Sequence, residues 1–298
     1  MCGRTVLTLS RKRISYVSNV PENLCHELGL GSCHSFNVSP TNSLVCIIEN
    51  SDNVRSLKIM KWGLEPKFSP SHHLATINAR IEGISGSRIY SGLVDSCRCV
   101  VIVDGFYEWD HQKKDNIPHI VRYRDSVKEE PIPMSSVFTD ESDVLLNNEA
   151  IRESYLPEHV SPLLLAAVYD TNPRSGEFSF SILTKDSVGP VSKIHSRMPV
   201  ILTPSTAKLW LDFGQGFDKI SRQVVIGCND SAQLLQCTQV SSLVNSVRNK
   251  GKEVTLPVED FQKRSFEKGL GKYFSPNEDV KKKLKTSGIF CEVEKQPK

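Results

Sequence analysis

Cys99-Val100-Val101-Ile102-Val103-Asp104-Gly105-Phe106-Tyr107-Glu108-Trp109 opens on a short run of apolar, mostly β-branched residues and closes on a carboxylate set among aromatic side chains. A run of that length, bounded by Asp and Gly, reads as a strand. Similar runs stand at Leu44 to Ile48, Leu57 to Met60, Ile117 to Tyr123, Leu163 to Tyr169 and Phe178 to Leu183, each flanked by turn formers. Helical signals are fewer. Ser10 to Val17 follows an opening strand, and Thr203 to Leu211 begins with a capping Thr203 and Pro204 at the first helical position. Because the strands do not alternate regularly with helices, the order predicts an α+β domain on a mixed or antiparallel sheet with peripheral helices, rather than a doubly wound sheet.

The chain has 298 residues, 39% of them hydrophobic and 24% charged, which is ordinary globular composition and excludes a wholly disordered chain. A formal net charge of +3 is too mild to diagnose nucleic-acid binding by itself. The nine cysteines are odd in number and follow no framework spacing, so a reducing, intracellular setting is expected. Cys97-Arg98-Cys99 is too closely spaced for the usual metal-ligand pair, and neither a metal nor a cofactor is expected. No apolar run approaches the roughly 18 residues of a membrane span, and no secretory leader pattern opens the chain.

Two segments differ from this body. About 126–161 is acidic, carrying Glu129, Glu130, Asp140, Glu141, Asp143, Glu149, Glu153 and Glu158 against Lys128 and Arg152, and reads as a mobile surface insertion. From 261 to 298 a basic, solvated tail is expected, after a single domain over 1–260, with Lys281, Lys282, Lys283 and Lys285 clustered in it. Within that tail, Leu270, Tyr273 and Phe274 are spaced like a sliding-clamp-binding box, although Glu267 stands where glutamine is expected.

Several segments carry candidate chemistry. In Thr76-Ile77-Asn78-Ala79-Arg80 an amide and a guanidinium lie two residues apart, so they share one face of an extended chain and suit an anionic backbone; a hydrogen-bonded turn with a surface arginine is the plainer reading. Glu108 sits at the end of the opening strand between Tyr107 and Trp109, whose aromatic surface would desolvate it and raise its pKa toward that of a general acid; a glutamate paired with a lysine is the alternative. His195, in Ile194-His195-Ser196-Arg197-Met198-Pro199, is the residue type most easily poised near neutral pH, but lone histidines are more often structural. Trp62, in Lys61-Trp62-Gly63-Leu64, offers either a stacking surface for an unpaired base or a core residue.

The start, Met1-Cys2-Gly3-Arg4, becomes informative beside these. Removal of Met1 would leave Cys2 with an α-amine of pKa about 7.7 to 8.0 and a thiol near about 8.5, both partly deprotonated at neutral pH. With an amide, the thiolate attacks and the amine serves as base, as in N-terminal-nucleophile hydrolases. With an aldehyde, the amine forms an imine and the thiol then closes a thiazolidine ring. That second route needs an acid to expel the carbinolamine hydroxyl, a role open to Glu108 or His195.

The chain resembles the SRAP (SOS response-associated peptidase) family. The resemblance rests on Met1-Cys2-Gly3-Arg4, Phe36-Asn37-Val38-Ser39-Pro40-Thr41, Lys61-Trp62-Gly63-Leu64, Asn78-Ala79-Arg80, Asp104 to Trp109 and Ile194 to Pro199, spread in the family's order over about 250 residues. It implies a single α+β domain with a β-barrel-like core. It also implies that Cys2 links covalently, as a thiazolidine, to the aldehyde of an abasic site in single-stranded DNA, with a peptidase-type release of the linkage through Cys2 and Glu108. On the matching positions, Asn78 would orient the amino terminus, Glu108 would open the sugar ring and move protons, and His195 would stabilise the abasic site. Arg4 and Arg80 would hold phosphates, and Asn37, Trp62 and Arg197 are further expected DNA contacts. A monomer is expected, nuclear if the source is eukaryotic. Ile81 and Glu65-Pro66-Lys67-Phe68 depart from the family's pattern. Two other functions remain open on the residues alone: a glutaminase-like N-terminal-nucleophile amidohydrolase, and a non-catalytic reader of modified or single-stranded DNA.

Overall fold

The structure, a computed structural model, describes residues 3–26, 28–29, 33–67, 76–111, 115–134, 161–173 and 175–267. In chain order the strands are β1 (Thr5–Leu7), β2 (Ser35–Val38), β3 (Ser43–Glu49), β4 (Arg55–Trp62), β5 (Asn78–Arg80), β6 (Arg98–Val103), β7 (Gly105–Asp110), β8 (Ile117–Tyr123), β9 (Leu163–Thr171), β10 (Phe178–Asp186), β11 (Arg197–Pro199), β12 (Ile201–Leu202) and β13 (Leu235–Gln239). The α-helices are α1 (Arg11–Ser18), α2 (Glu22–His26), α3 (Pro204–Leu211), α4 (Phe217–Gln233) and α5 (Val258–Glu267).

These strands build two sheets. In the larger one, β10, β4, β3, β6 and β9 pair in turn and β9 pairs back onto β10, so the circuit closes. The β10 pairings with β4 and β5 are parallel and the other pairings of this sheet are antiparallel, which makes the fold the expected α+β with a mixed sheet. The smaller sheet is antiparallel, in the order β13-β8-β7-β1-β2. Closure explains why β6 and β9 read as continuous apolar runs: Cys99 to Val103 and Leu163 to Val168 are buried on both faces.

The helices form where local chemistry permits. Ser10 accepts the Arg13 N–H at the start of α1, and Asn19, at φ 54, turns the chain out of it. At α3, Thr203 and Thr206 cap each other reciprocally and Pro204 occupies the first turn. Helix α4 packs Phe217, Ile220, Val224, Cys228 and Ala232 inward at helical spacing.

The chain passes from one sheet to the other at Asp104-Gly105. A Cβ at Gly105 would lie 2.7 Å from both Val121 O and Arg122 Cγ, so only glycine allows this approach to β8. Glu108 is therefore not at a strand end, as the sequence suggested; it lies inside β7, opposite His119 of β8.

Other expectations change as well. The proposed insertion begins as anchored structure, because Ile132 is fully buried and the Arg55 guanidinium, paired with Glu49, donates to the carbonyls of Ile132 and Pro133. Residues 135–160 lie outside the described residues, as do the tail from 268 onward and with it Leu270, Tyr273 and Phe274. Helix α5 carries regular structure past the expected boundary at 260. Among the described residues no helix is long and apolar enough to cross a membrane.

Trp62, expected as a DNA-stacking surface, is instead a core residue. It is fully buried, stacked on Phe180 at 6.5 Å between centroids, with Nε1 donating to Ile77 O. Its ring presents no face to a base. Trp62→Ala should therefore lower stability by about 3 to 5 kcal/mol, read as a reduced urea midpoint at unchanged m-value; a variant as stable as wild type would place the ring at the surface.

Candidate active site

Strand β1 sets the site. Thr5 pairs with Phe106 and Val6 with Gly105, and the Tyr107 N–H donates to Arg4 O at 2.9 Å. This register leads the amino-terminal segment back along β7 toward Glu108. The described chain begins at Gly3, so Cys2 itself lies outside it.

A buried amide organises this approach. Asn37, 1% exposed on β2, accepts from Arg4 Nη1 through Oδ1 at 2.7 Å. Its Nδ2 donates to the carbonyls of Val244, Ser246 and Asn249. Arg4 also donates to Val244 O at 2.8 Å and lies over the Trp109 ring at 5.7 Å. Tyr107 Oη donates to Phe36 O, and Trp109 Nε1 donates to Asn245 Oδ1. Thus Asn37 and Arg4, expected as DNA contacts, hold protein to protein here. Nothing in the local sequence around 241–250 marked it as part of the site; only the long-range bonds from Asn37, Arg4 and Trp109 reveal it.

Glu108 is 1% exposed. Burial raises its pKa to about 7, against nearby positive charge, His111 included, and the Trp109 amide, which hold the rise back. The sequence reading anticipated both the raised pKa and desolvation as its cause. Successive strand residues face opposite ways, so Tyr107 packs with Val6, Ile120 and Val240 on one side of β7 while Phe106 joins the main core on the other. Glu108 is desolvated between the sheets, on the Phe106 side.

His195 follows the 3-10 turn Gly189–Lys193. Its Nδ1 lies 3.0 Å from the Arg197 N–H nitrogen and 2.9 Å from Arg197 O, so that edge is spent on backbone and chemistry falls to Nε2. Burial lowers its pKa, with the Arg197 backbone opposing and His111 adding to the fall. The His111 ring meets it edge to face at 5.8 Å. The site therefore holds a carboxyl pushed up toward neutral pH and an imidazole pushed toward its neutral form.

Asn78 and Arg80 lie on β5 beside β10, with Ala79 buried between them, as the two-residue spacing predicted. Arg80 is exposed and has no hydrogen-bonding or ion-pair partner among the described residues. Arg197 is different. Its guanidinium is bidentate to Glu82 at 2.8 and 2.9 Å, reaches Asp186 at 2.7 Å and donates to Thr184 O. It is a largely buried strut that ties Glu82 and Asp186 to the strand carrying Thr184. Among the described residues no group of His, Cys, Asp and Glu could hold a metal ion.

Residues 1–247 match the family model described as SOS response associated peptidase (SRAP). The chain belongs to the SRAP family. Its relatives include the abasic site processing protein HMCES of Rattus norvegicus, 31% identical over 248 residues that span 76% of this chain and 66% of the rat protein. The HMCES protein of Xenopus tropicalis is 29% identical over 279 residues, 85% of this chain and 77% of that protein. The abasic site processing protein YoqW of Bacillus subtilis is 29% identical over 258 residues, 85% of this chain and 98% of that one. Among solved structures, a Bacteroides thetaiotaomicron protein superposes with a TM-score of 0.56 at 19% identity, covering 84% of this chain and 100% of its own. A phage-related protein of Bordetella bronchiseptica gives 0.53 at 17%, covering 81% and 95%. Both share the SRAP fold of this chain, and their likeness reaches no further.

The raised pKa of Glu108 has a thermodynamic consequence. A carboxyl that binds its proton more tightly when folded stabilises the protein below the unfolded value near 4.5, and that contribution is lost as pH rises through about 7. Above pH 7 the buried charge is a net cost, on the order of 3 kcal/mol at 1.36 kcal/mol per pKa unit. Glu108→Gln should accordingly be more stable than wild type at pH 8 and show no such gain at pH 4, as followed by thermal unfolding; equal stability at both pH values would place Glu108 in water.

Proposed function

We propose that this SRAP protein captures abasic sites in single-stranded DNA by covalent linkage to Cys2. The observation that carries the reading is Glu108, a buried carboxyl of pKa about 7 at the point where β1 brings in the amino terminus. Membership of the SRAP family supports it, as do relatives named as abasic site processing proteins.

After loss of Met1, the steps balance as follows. The closed abasic sugar is a hemiacetal; Glu108 gives a proton to the ring oxygen and the C1′ hydroxyl loses one, which frees the aldehyde. The Cys2 amine adds to C1′, forming a C–N bond and a carbinolamine. A proton delivered by Glu108 lets the hydroxyl leave as water and yields the imine. The Cys2 sulfur then adds to C1′, its proton passes to nitrogen, and the thiazolidine closes with net loss of one water. His195, neutral near pH 7, supports the sugar by hydrogen bonding through Nε2, and Asn78 orients the amino terminus. The same groups run in reverse for release: a proton passes from the ring nitrogen to sulfur as the C–S bond opens to the imine, water adds back to C1′, and the carbinolamine expels the Cys2 amine with Glu108 moving the protons. This reversal is the hydrolase-type activity that Cys2 and Glu108 supply.

An oligonucleotide with a single uracil, treated with uracil glycosylase, should give a denaturant-stable adduct with wild type and none with Cys2→Ala. Glu108→Gln should slow adduct formation by roughly 10²- to 10⁴-fold, measured by gel shift under denaturing conditions. Equal adduct yield and rate in wild type and Cys2→Ala would refute the proposal.

A further inference from the structure

Of the three arginines expected at the DNA, two are committed within the protein. Arg4 is bonded to Asn37 and Val244 O, and Arg197 is held by Glu82 and Asp186. The third, Arg80, is exposed and has no hydrogen-bonding or ion-pair partner among the described residues. A strand of DNA that presents its aldehyde at the amino terminus must find further cations close by.

The segment 241–250 supplies them. It runs from the Ser241 cap through the 3-10 turn Ser242–Asn245, and Asn249 Nδ2 bonds back to Leu243 O at 2.8 Å. Its carbonyls face inward: Val244, Ser246 and Asn249 all accept from Asn37, and Val244 accepts from Arg4 as well. Trp109, next to Glu108, fastens its middle through Asn245. The strap is thus fixed to the residues that lead the amino terminus into the site.

Its outer side carries a different chemistry. Asn245, Val247, Arg248 and Lys250 are exposed, Val247 by 45%. Neither Arg248 nor Lys250 has an ion-pair or side-chain hydrogen-bond partner among the described residues. No carboxylate occurs between Ser241 and Lys250; the first one is Glu253, in the next 3-10 turn, Lys252–Thr255. Two unneutralised cations follow an exposed aliphatic side chain on a backbone held by several hydrogen bonds. Such a strap binds with little ordering cost, and cations beside an aliphatic side chain suit a chain of phosphates with sugars and bases between them.

We infer that the strap 241–250 is a second DNA-binding element, in which Arg248 and Lys250 take phosphates of the single strand beside the reacting nucleotide and Val247 packs against its sugar or base. Asn37 is then the joint that couples this grip to the amino terminus. The inference rests on the reading of the site as a trap for single-stranded DNA, but its test is kept apart from the covalent step.

The full chain is titrated by fluorescence anisotropy with a labelled single strand containing a tetrahydrofuran abasic analogue, which has no aldehyde, over a range of salt concentrations. Each phosphate contact on a single strand contributes about 0.7 to the slope of log affinity against log salt. The double variant Arg248→Ala/Lys250→Ala should lose about 1.4 from that slope, with an unchanged unfolding midpoint. The charge-keeping pair Arg248→Lys/Lys250→Arg should retain it. A wild-type slope in the alanine variant overturns the strap assignment, and so does equal loss in the charge-keeping variant, which would show a packing role. In a parallel arm the aldehyde-bearing strand is used. Absence of an adduct with wild type there would sink the covalent function, while loss of slope with the analogue would still establish the strap.

Discussion

The pairing of β1 against β7 is the constraint on which the site depends. Three residues of strand, Thr5–Leu7, lie between β2 and β7, and every candidate group at the amino terminus is placed through them. That placement needs the chain to leave the closed sheet at Asp104 and enter the smaller one at Gly105, where Thr8 donates backbone N–H to the buried Asp104 carboxylate and glycine alone fits against Val121. Shifting β1 by one residue would turn Val6 out of its cluster with Tyr107 and set the terminus opposite the wrong face of β7. The core thus fixes, through ordinary packing, where the amino-terminal segment is delivered.

Burial has the same effect on both titratable groups of the site, since each is pushed toward its uncharged form. For Glu108 the result is a group able to give and take a proton near neutral pH, which repeated proton transfers at one carbon require. For His195 it is a neutral ring oriented by the Arg197 backbone. The Arg197 guanidinium in turn is locked by Glu82 and Asp186, so the loop that carries His195 is braced from beneath. A carboxyl buried at this depth lowers stability above neutral pH, a strain typical of working sites.

Much of the sheet was legible because its strands are buried on both faces and therefore written in β-branched residues. The helices at Arg11–Ser18 and Pro204–Leu211 were legible through Ser10, Thr203 and Pro204, whose caps are local. Helix α4 was missed because Gly216 caps it without a side-chain hydrogen bond, leaving no marker at its start. The shared strand face of Asn78 and Arg80 and the raised pKa of Glu108 were legible from type and spacing, but the surroundings of Asn37, Arg4, Arg197 and Trp62 were not. Each of those is decided by partners far away in sequence: Val244 for Arg4, Glu82 for Arg197, Ile77 and Phe180 for Trp62. An arginine or tryptophan looks the same in sequence whether it faces DNA or a carbonyl, and only the fold separates the two.

Arg4 shows how these levels connect. It stands in the opening Met1-Cys2-Gly3-Arg4 segment, and its guanidinium is spent on Asn37, Val244 and the face of Trp109. It thereby ties the chain two residues after Cys2 into the frame that carries Glu108. The proposed chemistry at that frame is tested most directly by intact-mass spectrometry after incubation with an abasic oligonucleotide, followed by mapping of the modified peptide. The account predicts a chain lacking Met1 that has gained the oligonucleotide less one water, with the modification on Cys2 and neither its amine nor its thiol open to alkylation. A chain that retains Met1 and still gains the oligonucleotide, or an adduct mapped to a lysine, would contradict it.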